Sequence, residues 1–328
     1  RILRRKNIST PSMMAQNTQE AFVALAAQLA DKKTALEAVD SLQKMVDENQ
    51  IIDLIMMLEI VPAMMDAVSA KEKPVAKAAE ALVKSYFARF PGWSAGAVLP
   101  YLGQSIAGKS KPPTIEAAIE IIQAFAESHP TPFGREIEWL IHTLVIKMND
   151  SKASTKAKAK ECMLAVCASS GNRDLVEFIP TIVKANESNK NVPECVEKLA
   201  GCVFVQNVEA PALSLITPVL WRGLNERSEA TQRRCLVIVD NMAKLVDDPF
   251  QGSPLIPEIL PLVRKRADAI SDPEAREMAE KTLATIEKMA SVGRKPEADF
   301  REECVKLGLD ASTVPEPAWA YMQKIAYA

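Results

Sequence analysis

The sequence is poor in the residues that β-sheet proteins need. It has only 11 glycines in 328 residues, and Phe, Trp and Tyr make up 5% of the chain, whereas glycine alone averages about 7% in proteins. Ala, Leu, Lys and Glu, which favour helices, are abundant. The composition therefore predicts an all-α fold. At this length a single compact core reaches its practical limit, so we expect two domains or an extended array of repeats.

Histidine is scarce, and the cysteines are not paired in the sequence. With only His129 and His142, a histidine-based catalytic triad or a multi-histidine metal site is disfavoured. The six cysteines contain no CxxC pair, and we interpret them as small buried residues in a reducing compartment. They are Cys162, Cys167, Cys195, Cys202, Cys235 and Cys304. We expect no catalytic site, no metal and no cofactor in this chain.

Long apolar runs and a large net charge are also missing. No apolar stretch approaches the roughly 20 residues of a membrane span, so we expect no membrane insertion. Forty basic and 42 acidic residues give a formal charge of -2 and a pI near 6.0. This balance excludes a globally basic nucleic-acid binder, so any binding of nucleic acid must come from local basic patches.

Proline recurs in the sequence with a period of about 40 residues. Prolines beside aliphatic residues stand 38, 80, 38 and 43 residues apart, where 80 represents two units. These prolines are Pro62, Pro100, Pro180, Pro218 and Pro261. A second proline often follows 12 or 13 residues later, ahead of another apolar-periodic stretch. Because proline is favoured in the first turn of a helix, each unit is predicted to be helix A, a short turn and helix B.

Helical periodicity in the B segments supports this interpretation. From Cys235 to Val246 the apolar residues follow the 3.6-residue period of one helical face. Helical hairpins of about 40 residues are typical of HEAT repeats. We therefore predict an α-solenoid of about seven hairpins over residues 18–290, in which each repeat packs on its neighbours. Residues 1–17 are predicted to be a basic flexible arm, and residues 291–328 a linker with short helices.

One segment matches a nucleotide-binding motif but is better explained by the repeats. Residues 103–110, GQSIAGKS, match the P-loop pattern through Gly103, Gly108, Lys109 and Ser110. A P-loop needs a preceding strand and a helix that begins at the Lys and Ser. Here two prolines follow almost at once, and the segment falls where an A-to-B turn is expected. A similar argument places the LVIVD segment within a helix, with Asp240 on its polar side.

Basic residues cluster near three predicted A-to-B turns. Because equivalent turns of a solenoid line one edge, these clusters are expected to join into a ridge that contacts phosphates. The alternative is that helical-repeat turns are simply charged and solvated. The candidate contact residues are Lys147, Lys152, Lys156, Lys158, Lys160, Arg222, Arg227, Arg233, Arg234, Arg264, Lys265 and Arg266.

Residues 190–249 carry a resemblance to a known family. The segments VPECVEKLAG, FVQNVEAPAL, TPVLWRGLNER and VIVDNMAKLVDDP, followed by DPEARE, closely resemble the HEAT region of translation elongation factor 3. A similar region occurs in the large ribosome-bound activator of the amino-acid starvation kinase. The resemblance implies a solenoid that docks on the ribosome, while separate ABC cassettes hydrolyse ATP and help release deacylated tRNA.

These observations lead to one main hypothesis and two alternatives. The main hypothesis is a non-catalytic, cytoplasmic scaffold that contacts ribosomal RNA and ribosomal proteins and takes no small-molecule substrate. It is either the N-terminal piece of such a factor or a stand-alone relative without the cassettes. The first alternative is a protein-only scaffold in another assembly, located in a plastid or mitochondrion if the basic N-terminus is a targeting remnant. The second is a P-loop NTPase.

Overall fold

The described part of the chain is helical throughout. The computed structural model describes residues 13–48, 58, 60–134, 136–252, 254–270 and 273–291. Within these ranges the chain forms fifteen α-helices joined by turns and short 3-10 segments, with no strand. None of the described helices is long and apolar enough to cross a membrane. The predicted all-α fold is confirmed.

The helices are numbered in chain order. Their bounds are α1 Met13–Gln28, α2 Ala35–Asp47, α3 Val61–Ala67, α4 Lys73–Phe87, α5 Ala95–Ala107, α6 Pro112–Ser128, α7 Pro130–Gly134, α8 Glu138–Lys147, α9 Ala153–Ala168, α10 Ile179–Glu187, α11 Val192–Ala200, α12 Ala210–Leu224, α13 Glu229–Lys244, α14 Ile256–Ala269 and α15 Pro273–Ser291.

The helices form seven A/B pairs, as the proline period predicts. Helices α7 and α8 together form helix A of the fourth pair, and each of the other pairs has one helix A and one helix B. Pro100, Pro218 and Pro261 lie inside helices A, whereas Pro62 and Pro180 lie in the first turn of theirs. Because proline has no N–H to donate, both placements are compatible with a helix at a modest local cost.

The chain divides into two compact units, one ending at Ile121 and the other beginning at Ile122. In the first unit, α2 packs against α4, and α3 packs against α5. Its core includes a cluster of aromatic rings in which Tyr86 stacks on Phe22 at 6.1 Å and meets Phe87 and Phe90 edge-on. These rings are almost fully buried.

The second unit shows the repeat packing most clearly. Helices B contact helices B of the next pair, in the series α11, α13 and α15, and helices A contact helices A, in the series α10, α12 and α14. Each helix thus buries one face on its own partner and another on its neighbours. This is the nearest-neighbour packing that defines a solenoid.

Hydroxyl groups tie successive repeats together within each unit. In the first unit, Thr114 Oγ1 donates to the Met65 carbonyl at 3.0 Å. In the second, Ser169 Oγ donates to Ala126 and Thr282 Oγ1 to Leu236, both at 3.3 Å. All three hydroxyls are buried, so each bond satisfies a polar group that would otherwise be costly to bury.

The structure can be compared with the predicted boundaries of the N-terminal arm and the C-terminal linker. Helix α1 begins at Met13, so residues 13–17 of the predicted arm are helical, and residues 1–12 lie outside the described residues. The predicted C-terminal linker also lies outside them, apart from Ser291. The boundaries of the arm and the linker therefore stay predictions.

Candidate functional site

Exposed basic residues lie in or near every A-to-B turn. The turn joins helix A to helix B within one pair, and the next pair repeats it about 40 residues later. In or near the seven turns the exposed basic residues are Lys32 and Lys33, Lys71 and Lys73, Lys109 and Lys111, Lys152, Lys184 and Lys190, Arg227, and Lys265. Of these, Lys184 and Lys265 lie near the ends of α10 and α14, and Lys73 is the first residue of α4. The basic charge is therefore a property of the repeat and not of one segment.

Four of the six connections from one pair to the next carry acidic residues in the described part of the chain. These residues are Glu48, Asp174, Glu177, Glu209, Asp247 and Asp248, against Arg89 and Arg173. Because the two helices of a hairpin run antiparallel, these connections lie at the helix ends opposite the A-to-B turns. Among the described residues, basic side chains are thus more frequent at the A-to-B ends of the hairpins and acidic ones more frequent in the connections between pairs, although the net charge of the chain is close to zero.

Two of the predicted contact residues hold neighbouring repeats together. Arg222, on α12, donates to the carbonyls of Ala185 and Asn186 at 2.7 and 2.9 Å. Forty-four residues later, Arg266 on α14 donates to the Leu224 carbonyl at 3.0 Å. Each guanidinium reaches the C-terminal end of the preceding helix A, where helical carbonyls lack partners and the helix dipole favours a cation.

Five more candidates form ion pairs. The pairs are Lys147–Asp150 at 3.8 Å, Lys160–Glu187 at 2.7 Å, Arg233–Glu274 at 2.7 Å, Arg234–Glu197 at 3.1 Å and Arg264–Glu287 at 2.7 Å. The hydrogen bond from Lys160 lowers the pKa of the Glu187 carboxyl from its usual value. Ion pairs at or near the surface contribute little stability, but they partly neutralise the surface that these residues form.

The remaining candidates lie on or beside α9, in the turn after α12 and near the end of α14. Lys152 precedes α9, Lys156 and Lys158 lie half-buried within it, and Arg227 and Lys265 are exposed. The structure also shows basic turn residues that were not predicted as contacts: the six lysines of the first three turns, together with Lys184 and Lys190. The 40-residue period was the signal that could have found them, because each lies near the position that the prolines predict for a turn.

The segment that matches a P-loop lies at the end of a helix. Gly103 is buried inside α5, and the N–H of Gly108 donates to the Gln104 carbonyl at 2.9 Å as that helix ends. Helix α6 begins at Pro112, after Lys109 and Ser110. This arrangement differs from a loop between a strand and a helix, in which backbone N–H groups face the phosphates.

The sequence pattern predicts that the side chain of Asp240 lies on the solvated side of α13, and this prediction is wrong. The residue is buried, its Oδ1 accepts a 2.9 Å hydrogen bond from Thr285 of α15, and Lys244 pairs with it. The prediction failed because it treated α13 alone, whereas α15 covers that face. A buried carboxylate needs such partners to offset its desolvation.

The cysteines behave as core residues. Cys162, Cys167, Cys195, Cys202 and Cys235 are all free thiols, and all but Cys202 are buried. Burial raises the pKa of Cys167, Cys195 and Cys235 to about 12. These thiols stay protonated near neutral pH, and a protonated thiol is a poor nucleophile and metal ligand.

Two family models match the chain. The model described as "EF3 N-terminal HEAT repeat" matches residues 6–163, and the one described as "Elongation factor 3/GNC1 HEAT repeat" matches residues 190–297. The chain belongs to the elongation factor 3 HEAT-repeat family. The first match extends the likeness well upstream of residues 190–249, whose segments carry the resemblance.

Curated relatives of this family support the assignment. Elongation factor 3 of Gonapodya prolifera is 30% identical over 89% of this chain. Elongation factor 3A of Saccharomyces cerevisiae is 30% identical over 83% of the chain, and the mRNA export factor elf1 of Schizosaccharomyces pombe is 30% identical over 76%. The matches cover 26%, 26% and 24% of these relatives, so the chain spans about a quarter of their length.

Proposed function

We propose that this elongation factor 3-type region is a non-catalytic, ribosome-binding scaffold that contacts ribosomal RNA and ribosomal proteins during translation elongation. The observation that carries the proposal is the set of basic A-to-B turns in a chain of this family. A solenoid offers a long surface to a large partner. The HEAT repeats supply this surface, and any ATP hydrolysis would belong to other parts of a longer factor.

The distribution of charge supports contact with RNA. Phosphate contacts by Lys and Arg supply most of the sequence-independent affinity for nucleic acids. In the second unit the exposed basic residues in or near these turns include Lys152, Lys190, Arg227 and Lys265. The acidic connections at the opposite helix ends would repel RNA, so charge also orients the scaffold on its partner.

A patch of exposed valines supports contact with protein. Val203 and Val205 are 80% and 75% exposed in the connection before α12, and Val176 is 58% exposed in the connection before α10. The Asp174 carboxylate accepts hydrogen bonds from the N–H groups of Val205 and Gln206 at 2.7 and 2.8 Å, which holds the two connections together. Exposed apolar patches often mark protein interfaces.

Reversing two exposed turn charges is expected to weaken ribosome binding. In the double variant Arg227→Glu/Lys265→Glu, neither change breaks an ion pair among the described residues, so the fold should be retained. If both side chains contact phosphates, the slope of log affinity against log salt becomes less steep by about 2. Co-sedimentation with purified ribosomes at several salt concentrations measures this slope.

The matched control places the same charge change at the other helix ends. Arg89 and Arg173 are exposed in the connections between pairs, and Arg89→Glu/Arg173→Glu alters the net charge equally. This control should bind ribosomes with the wild-type salt slope. If both variants weaken binding alike, the effect is one of net charge, and the assignment of the A-to-B turns is wrong.

The valine patch also favours the protein-only scaffold as a second candidate function. That alternative predicts a complex that survives RNase treatment and does not contain ribosomes. We propose the cytoplasm as the compartment, and the five described cysteines, which are free thiols, are compatible with its reducing environment. Import of a precursor into isolated plastids or mitochondria would contradict this assignment.

A further inference from the structure

The three A-to-B turns of the first unit line one open groove. The groove has a volume of about 430 Å³, and alanines form much of its surface, among them Ala27 of α1, Ala30 in the turn after α1 and Ala63 of α3. Lys32, Lys71 and Lys111 line it as well, one from each turn. The small alanine side chains leave a depression that larger residues would fill.

The lysines of the groove occupy equivalent positions in three successive repeats. Lys71 follows Lys32 by 39 residues, and Lys111 follows Lys71 by 40, which is the repeat period. All three are exposed. The Nζ of Lys111 donates to the Ser69 carbonyl at 3.4 Å, and an ammonium group has further donors for a ligand. Since packed helices lie about 8–10 Å apart, we expect the three lysines to form a row of positive charges at about that spacing.

The positive charges outnumber the acids around this groove. A second lysine lies in each turn, at Lys33, Lys73 and Lys109, and all three are exposed. Of the acids near these turns, Asp66 and Glu72 line the groove together with Lys32, Lys71 and Lys111, and Asp31 lies in the first turn. Six lysines against three acids leave an excess of basic charge, and its regular spacing suits a partner with regularly spaced negative charges.

The lining of the groove indicates how such a partner would be recognised. Among the described residues that line it, none is aromatic and none is Arg, Asn or Gln. Those side chains are the usual readers of base edges and the usual stacking platforms. Lysine binds phosphate as a point charge, so this groove has the means to hold a phosphate backbone and lacks the means to read bases.

We propose that this groove binds the phosphodiester backbone of RNA without regard to its sequence. The proposal rests on the proposed function, which it deepens by naming a site in the first unit and the chemical group recognised there. An acidic protein segment is the competing ligand. It is an outcome of the test below.

The test measures binding of the full chain to a fluorescein-labelled, single-stranded RNA of 20 nucleotides. Fluorescence anisotropy between 50 and 200 mM salt gives the affinity and its salt slope, and a second RNA of unrelated sequence should bind equally well. For the triple variant Lys32→Gln/Lys71→Gln/Lys111→Gln we expect about tenfold weaker binding or more at 50 mM salt. The slope should become less steep by about 2, because each lost phosphate contact removes roughly 0.7.

Two further variants distinguish the effect of the groove's charge from that of charge elsewhere and from that of the groove's shape. Lys44→Gln/Lys77→Gln/Arg89→Gln removes three exposed charges of the first unit outside the groove and should retain the wild-type slope. Ala30→Leu fills part of the groove without changing its charge. We expect it to weaken binding and to leave the slope unchanged. Circular dichroism of every variant verifies that the helices and the Tm are retained.

Each remaining outcome overturns a defined part of the proposal. Equal loss in the two triple variants would contradict a specific site, and wild-type affinity in Ala30→Leu would place the RNA outside the groove. Tighter binding of labelled polyglutamate than of RNA, lost in the lysine variant, would replace RNA by an acidic protein. If the chain co-sediments with ribosomes but does not bind RNA, the proposal of an RNA-binding groove is wrong and the proposed function stands. If the chain binds RNA but does not co-sediment with ribosomes, the proposed function is wrong.

Discussion

Replacing Arg222 with alanine is expected to lower the free energy of unfolding by about 3–5 kcal/mol. Its guanidinium donates two hydrogen bonds to the end of α10. Hydrogen bonds from charged groups contribute about 1.5–3 kcal/mol each. Burial lowers the pKa of the Arg222 side chain from its usual value, but arginine stays protonated at any pH of interest. The loss should therefore be the same from pH 6 to pH 9, as urea unfolding followed by circular dichroism would show.

Three comparison variants test the cause of that loss. Arg222→Lys keeps the charge but lacks the planar group that reaches two carbonyls, so we expect about half the loss. Arg266→Ala removes the equivalent bond one repeat later and should cost about 1.5–3 kcal/mol. The neighbouring Arg227 is exposed, and Arg227→Ala should change stability by less than about 0.5 kcal/mol. A loss in Arg222→Ala as small as that in Arg227→Ala would contradict the proposed role.

The repeat architecture could be predicted because it depends on local signals. Prolines at the starts of helices and a 3.6-residue apolar period act within one or two turns of the chain. Repetition of these signals at a fixed spacing then specifies the packing of neighbours, since each pair buries the same faces. The division of the chain at Ile121 left no such signal, because it falls inside α6, where the helical pattern continues without a break.

The candidate site was harder to predict because the sequence does not show which partner each charged side chain contacts. Arg222, Arg233 and Arg227 look alike in the sequence. In the structure the first binds carbonyls of the preceding repeat, the second pairs with Glu274, and the third is exposed. The partners lie about 40 residues away, on the neighbouring repeat. Asp240 was misplaced for the same reason, since α15 packs on it from the next pair.

The second large effect is expected at Gly223, within α12. A Cβ added there would overlap Cys235 Sγ of α13 and would lie 3.3 Å from Val196 Cγ2 of α11. Alanine is normally favoured over glycine in a helix by about 1 kcal/mol. Overpacking of a core costs about 1–3 kcal/mol, so Gly223→Ala should destabilise the protein despite its better helix propensity. Urea unfolding would measure the change, and a stabilised variant would contradict the close contact.

A double-mutant cycle with Cys235 isolates this contact. Cys235→Ala removes the sulfur and leaves a small cavity, which is itself destabilising. In Gly223→Ala/Cys235→Ala the new methyl group enters the space that the sulfur leaves. We therefore expect the double variant to be more stable than the sum of the single changes predicts, by about 1–3 kcal/mol. Additive losses would mean that α12 and α13 move apart to accept the methyl group. The glycine would then not be what sets their separation.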